Sequence, residues 1–118
     1  MERLLQQVDI YCERTDPSYW AEPVNAVTNA AFLLAALVMW PRVRGQGMPG
    51  AVALCVVLGA IGVASYLWHT HATVWSVMLD SGSIAVFIFA YLYLANRAFL
   101  GWPVRGAALG AAGFVPFA

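Results

Sequence analysis

The sequence contains no lysine, and its six arginines are balanced by six acids for a net charge of zero. Nucleic-acid binding needs a basic patch, so that class is excluded. Charge of either sign is scarce: Asp, Glu and Arg make up 10% of the 118 residues, against 62% hydrophobic. Soluble domains carry roughly 25% charged residues, and disordered chains are poor in apolar ones. A soluble globular domain and a disordered tail are both excluded, which leaves an integral membrane protein. Only two cysteines are present, Cys12 in a polar segment and Cys55 inside an apolar run. They form no C-x-x-C or Cys/His cluster, and no mutual disulfide is expected. The first 22 residues are polar and do not read as a cleaved signal peptide, so the first hydrophobic span must serve as the signal.

What charge there is lies in telling places. Five acids, Glu2, Asp9, Glu13, Asp16 and Glu22, precede residue 23, while Asp80 stands alone among apolar residues. The chain divides into an acidic N-terminal segment, 1–22, and a membrane region, 23–118. A membrane-crossing helix needs about 20 mostly apolar residues. Candidate spans cover about 23–40, 48–69 and 79–96, with a partial fourth at 103–118. Glu22 is placed to cap the first span, Pro23 suits its first helical position, and Pro41 to Gly45 is expected to end it. Trp20, Trp40, Trp68, Trp75 and Trp102 all fall near proposed span ends, where an interfacial tryptophan belongs. With three spans, Arg42, Arg44, Arg97 and Arg105 face one side, and Arg3 and Arg14 the other. The four-to-two count leans toward an N-terminus outside the cytoplasm. Ala30, Ala31, Ala35 and Ala36 permit close helix packing.

Ionisable groups at membrane depth are costly and mark candidate sites. Ser65 and His69 are four apart, hence on one helix face, and Asp80 is expected to open the next span beside His69. An imidazole suits zinc, a carboxylate can hold water or take its proton, and a hydroxyl can bond a developing oxyanion. Together they make half of a metal-hydrolase site. The plain alternative is a histidine packed at the interface and a serine bonded to its own helix. His71 reads as such an interfacial residue. In the N-terminal segment, Asp9, Glu13 and Glu22 offer carboxylates, and Tyr11 and Thr15 offer further oxygens. Calcium takes 6–8 oxygens, although the spacing is not that of an EF-hand. The alternatives are a solvated acidic tail, with Glu22 as a helix cap.

Asp9-Ile10-Tyr11-Cys12-Glu13-Arg14, Trp20-Ala21-Glu22-Pro23-Val24-Asn25 and Thr28-Asn29 resemble the opening of the alkaline ceramidase family. So does Ser65-x3-His69 followed by Asp80 eleven residues after the histidine. The resemblance covers about residues 8–96 and is nearest to the bacterial branch. These are seven-span membrane hydrolases in a superfamily that includes the adiponectin and progestin receptors. The resemblance implies an all-α polytopic bundle corresponding to the first half of that fold. It implies hydrolysis of the amide (a non-peptide carbon–nitrogen bond) of ceramide or a similar lipid, with zinc and calcium as cofactors. His69 matches a zinc ligand, Asp80 the acid that orients or deprotonates the water, and Ser65 the hydroxyl near the metal. Asp9, Tyr11, Glu13 and Glu22 match the calcium site. Three features depart from the family: the Asp9-to-Cys12 spacing is one residue longer than in the animal enzymes, Thr15 stands where asparagine is expected, and the late H-x-x-x-H zinc pair is missing, His69 and His71 being the only histidines. Residues 1–118 are therefore expected to be a truncated product, inactive alone. A receptor-like or purely structural three-span protein is the alternative. A bacterial inner membrane is the expected location, with membrane lipid and a lipid amide as partners and no nucleic acid.

Overall fold

Between Gly45 and Leu79 there is no formal charge, and the uninterrupted part of this stretch forms the central helix. A computed structural model describes residues 1–118. After a 3-10 turn at Glu2–Leu5, the helices are α1 (Pro23–Thr28), α2 (Ala30–Val43), α3 (Pro49–His71), α4 (Val74–Ala98) and α5 (Val104–Ala112). A second 3-10 turn covers Val115–Phe117. The architecture is an all-α bundle. α3 lies at its centre, packed on α1, α2 and α4, and α5 packs on α4.

Pro23–Val43, Pro49–His71 and Val74–Ala98 hold 21, 23 and 25 residues and are long and apolar enough to cross a membrane. At a rise of 1.5 Å per residue they reach about 32–38 Å, against a hydrocarbon core of about 30 Å. The first is two helices end to end. At the junction Thr28 Oγ1 donates to the Val24 carbonyl at 2.8 Å, and Asn29 Nδ2 to the Asn25 carbonyl at 2.7 Å. Such side chains compete with the helix for its own acceptors. α2 runs through Pro41 to Val43 rather than stopping at Trp40. Proline this late removes one hydrogen bond of the final turn, and Arg44 N–H still closes on the Trp40 carbonyl at 3.0 Å. Gly62 lets α2 and α3 approach closely: a Cβ there would stand 3.0 Å from Leu33 Cγ and 3.1 Å from Phe32 Cβ. Of the four small residues on the first span, Ala36 meets α3, its carbonyl accepting from Cys55 Sγ at 3.2 Å, while Ala30, Ala31 and Ala35 are exposed.

The third span begins five residues earlier than its hydropathy suggests, at Val74. Only Ala72 and Thr73 separate α3 from α4. Ala72 turns the chain in the left-handed region at φ 48°, and Thr73 N–H donates to Ser76 Oγ at 3.0 Å to cap α4. A serine in the third helical position is not the usual Glu or Gln of a capping box, so the start is masked in sequence. The regular helix in 103–118 ends at Ala112, and with nine residues α5 is too short to cross.

The N-terminal segment lies across the α3–α4 turn. Val8 N–H donates to the Ala72 carbonyl at 2.7 Å, and Val74 N–H to the Gln6 carbonyl at 3.0 Å. Beneath this strap the interior is polar: Arg14, Glu22, Ser65, His69, Thr70, Thr73, Ser76 and Asp80 are all buried, while many large apolar side chains face outward. That inversion suits a helix bundle whose solvent is lipid. Trp68 is 2% exposed, so it is a core residue rather than an interfacial anchor like the outward-facing Trp20, Trp40 and Trp102.

Candidate active site at the α3–α4 turn

Antiparallel helices joined by two residues bring equal distances from the turn to equal depth. Ser65 is six residues from the end of α3, and Asp80 six from the start of α4. Each is therefore about 9 Å from the turn, at 1.5 Å per residue. Asp80 does not open its helix, as hydropathy suggested, but lies nearly two turns inside it, level with Ser65. His69 sits one turn nearer the strap on the Ser65 face. The structure brings all three together: Asp80 faces both Ser65 and His69.

The carboxylate and the imidazole are held very differently. Asp80 is 9% exposed, and its Oδ1 is buried without a hydrogen-bond partner. Ser65 faces this carboxylate without closing a well-formed hydrogen bond on it. An unpartnered buried carboxylate oxygen costs stability, and a native structure needs a reason for it. His69 Nδ1, by contrast, lies 2.9 Å from Glu22 Oε1, while Nε2 makes no bond within the chain. A carboxylate on one ring nitrogen fixes the tautomer and turns the other nitrogen's lone pair outward, as in metal-binding histidines. The Tyr11 ring meets the imidazole edge-on, with centroids 4.9 Å apart.

Glu22 is 1% exposed and has no free oxygen, because its Oε2 accepts from Arg14 Nε. It occupies the cap position of α1, but its side chain does not cap the helix. Glu13 does that from eleven residues upstream: its two oxygens accept from Val24 N–H at 2.6 Å and Asn25 N–H at 3.1 Å. Proline at the first helical position has no N–H, so these are the first two amides α1 has to satisfy. Asp9 lies apart, in a shallow polar groove of about 290 Å³ with Gln7, Arg14, Thr15 and Asp16. Asp16 folds back on its own turn, where the Ser18 side chain, and then the Ser18 N–H at 2.7 Å, favour the charged form and hold its carboxyl below the usual aspartate range.

The zinc and calcium expectations fare differently against these contacts. For zinc, one imidazole with a free Nε2 and an orphaned carboxylate oxygen fit part of a coordination shell. A catalytic zinc takes three protein ligands, and no three His, Cys, Asp or Glu side chains converge here. His71 belongs to an outer aromatic cluster, its ring 5.6 Å from Tyr19 and 5.2 Å from Trp75. For calcium, the donor set does not fit. Glu13 is committed to α1, Glu22 to Arg14 and His69, and the Tyr11 carbonyl to Arg14 N–H, while Asp9 lines an outer groove with Thr15 and Asp16 that includes neither Glu13 nor Glu22. Arg14, which charge counting had placed with Arg3 on the N-terminal side of the membrane, is 5% exposed and central to the site. No helical or strand period points to it: three of its acceptors come from the irregular segment just after it, and only the His69 carbonyl is brought by the fold. Compared with protein-family profiles, curated proteins and solved structures, the chain matches none.

Proposed function

We propose that this chain is a multi-pass protein of a bacterial inner membrane and supplies one wall of a zinc-dependent amide hydrolase acting on a ceramide-like lipid. The observation that carries the reading is the buried, unpartnered Asp80 Oδ1 beside Ser65 and His69. Scaffolds have little use for such an orphan, whereas a proton-accepting group needs a free lone pair. His69 would hold the metal through Nε2, with Glu22 on Nδ1 setting its orientation. When bound, zinc supplies a water whose pKa is lowered toward neutrality. Asp80 takes the proton of the attacking water and returns it to the leaving amine. The Ser65 hydroxyl, level with Asp80, donates to the amide oxygen as it gains charge. The apolar outer faces of α2, α3 and α4 keep the site at lipid depth, where an acyl amide resides.

The test is amide turnover in membranes of the source cell after editing the gene at its own locus. Release of fatty acid from labelled ceramide should vanish with His69→Ala and Asp80→Asn, fall with a zinc chelator, and survive His71→Ala. Turnover retained by His69→Ala refutes the reading.

A further inference from the structure

The Arg14 guanidinium is buried in a shell of oxygens. Nε donates to Glu22 Oε2, Nη1 to the Asp16 carbonyl at 3.2 Å and the Ser18 carbonyl at 3.0 Å, and Nη2 to the His69 carbonyl at 3.0 Å. Three carbonyls and a carboxylate are the kind of donors a hard cation takes. Here they converge on a side chain, and they come from two parts of the chain: Asp16, Ser18 and Glu22 in the N-terminal segment and its junction with α1, and His69 on α3. Glu22 and Arg14 cancel in charge. Both Glu22 oxygens are taken by Arg14 and His69, and both Glu13 oxygens by α1 amides. A divalent ion at this buried spot would therefore have to displace the guanidinium, and the remaining nearby carboxylates, Asp9 and Asp16, lie on the outer groove.

We infer that Arg14 is a resident cation that clamps the N-terminal segment to α3 and holds Glu22 against His69, so that this segment needs no bound calcium. Arginine suits the task. Its planar fork presents five donors in fixed directions, and four acceptors are in place. The Asp16 turn contributes by aiming the Asp16 and Ser18 carbonyls at Nη1. The inference stands on the buried pair and is independent of the hydrolase chemistry.

Cys12 offers a direct probe, since it is exposed two residues from Arg14 while Cys55 is buried. A nitroxide on Cys12 of the full chain in detergent reports whether the segment is docked. The expected wild-type spectrum is immobilised and identical in calcium chloride and in EGTA, with no calcium-dependent change in melting temperature. Arg14→Gln should release the label to a mobile spectrum while helical circular dichroism is unchanged, and methylguanidinium should restore docking in Arg14→Gly. A wild-type melting temperature that rises with calcium and falls with EGTA overturns the inference without any variant having to fold. A docked label in Arg14→Gln overturns it as well.

Discussion

Replacing Glu22 by glutamine should strongly destabilise the protein while changing its volume hardly at all. Glu22 is 1% exposed, and its two oxygens face Arg14 Nε and His69 Nδ1. Glutamine keeps one acceptor but removes the charge, and strands the guanidinium of Arg14, itself 5% exposed. Removing one member of a buried ion pair costs about 3–5 kcal/mol. That is a sizeable share of the roughly 5–15 kcal/mol that holds a typical domain together. At about 1.4 kcal/mol per factor of ten, the unfolded population rises by roughly two to three and a half orders of magnitude. Arg14→Met alone should cost a similar amount, because it strands Glu22 instead. The double variant removes both charges and should cost much less than the sum, with a coupling of about 2–3 kcal/mol. Unfolding in mixed micelles, followed by tryptophan fluorescence with the buried Trp68 beside Tyr11 as a reporter, measures all three variants. Single costs that add to within about 0.5 kcal/mol would show the two residues to be energetically independent, and the argument for a coupled buried pair would fail.

Glu13→Ala should lower stability by about 1–2 kcal/mol, read from the unfolding midpoint, because Val24 and Asn25 N–H lose their acceptors; Glu13→Gln should cost less. Asp80→Ala should raise the melting temperature, since it removes an orphaned buried oxygen worth about 1–3 kcal/mol, and a lower melting temperature would show that Oδ1 is not a liability. At Ala72, held at φ 48°, valine should be clearly destabilising in a thermal melt, whereas glycine should stay within about 1 kcal/mol of wild type, relief of strain offsetting lost burial. The Asp16 carboxyl titrates below its ordinary value because the charged form accepts from Ser18. Its contribution to the turn is therefore full above about pH 4 and is lost as pH falls through the depressed value; an NMR titration of Asp16, with Asp16→Asn as control, checks the sign.

The three long helices could be read from hydropathy alone, because in lipid the solvent selects directly for apolar length, and no partner element is needed to see it. The Ser65–His69 face was equally legible, since positions four apart share a helix face wherever the helix lies. Helix ends were less so. Thr73 and Ser76 cap α4 through side chains outside the common signature, and α2 carries Pro41 in its last turn, where little is lost. Those few residues moved Asp80 from the mouth of its span to the depth of Ser65.

The roles of the N-terminal acids were out of reach of sequence. Glu13, Glu22 and Asp9 offer the same chemistry on paper, but one caps a helix, one is buried between Arg14 and His69, and one lines an outer groove. The sequence by itself determined what depends on neighbours along the chain: the apolar spans, the acidic segment, and the register of serine and histidine. Only the tertiary structure decided which charges meet, because Glu22 and His69 are 47 residues apart and a buried carboxylate takes whichever cation the fold places beside it. Here that cation is Arg14.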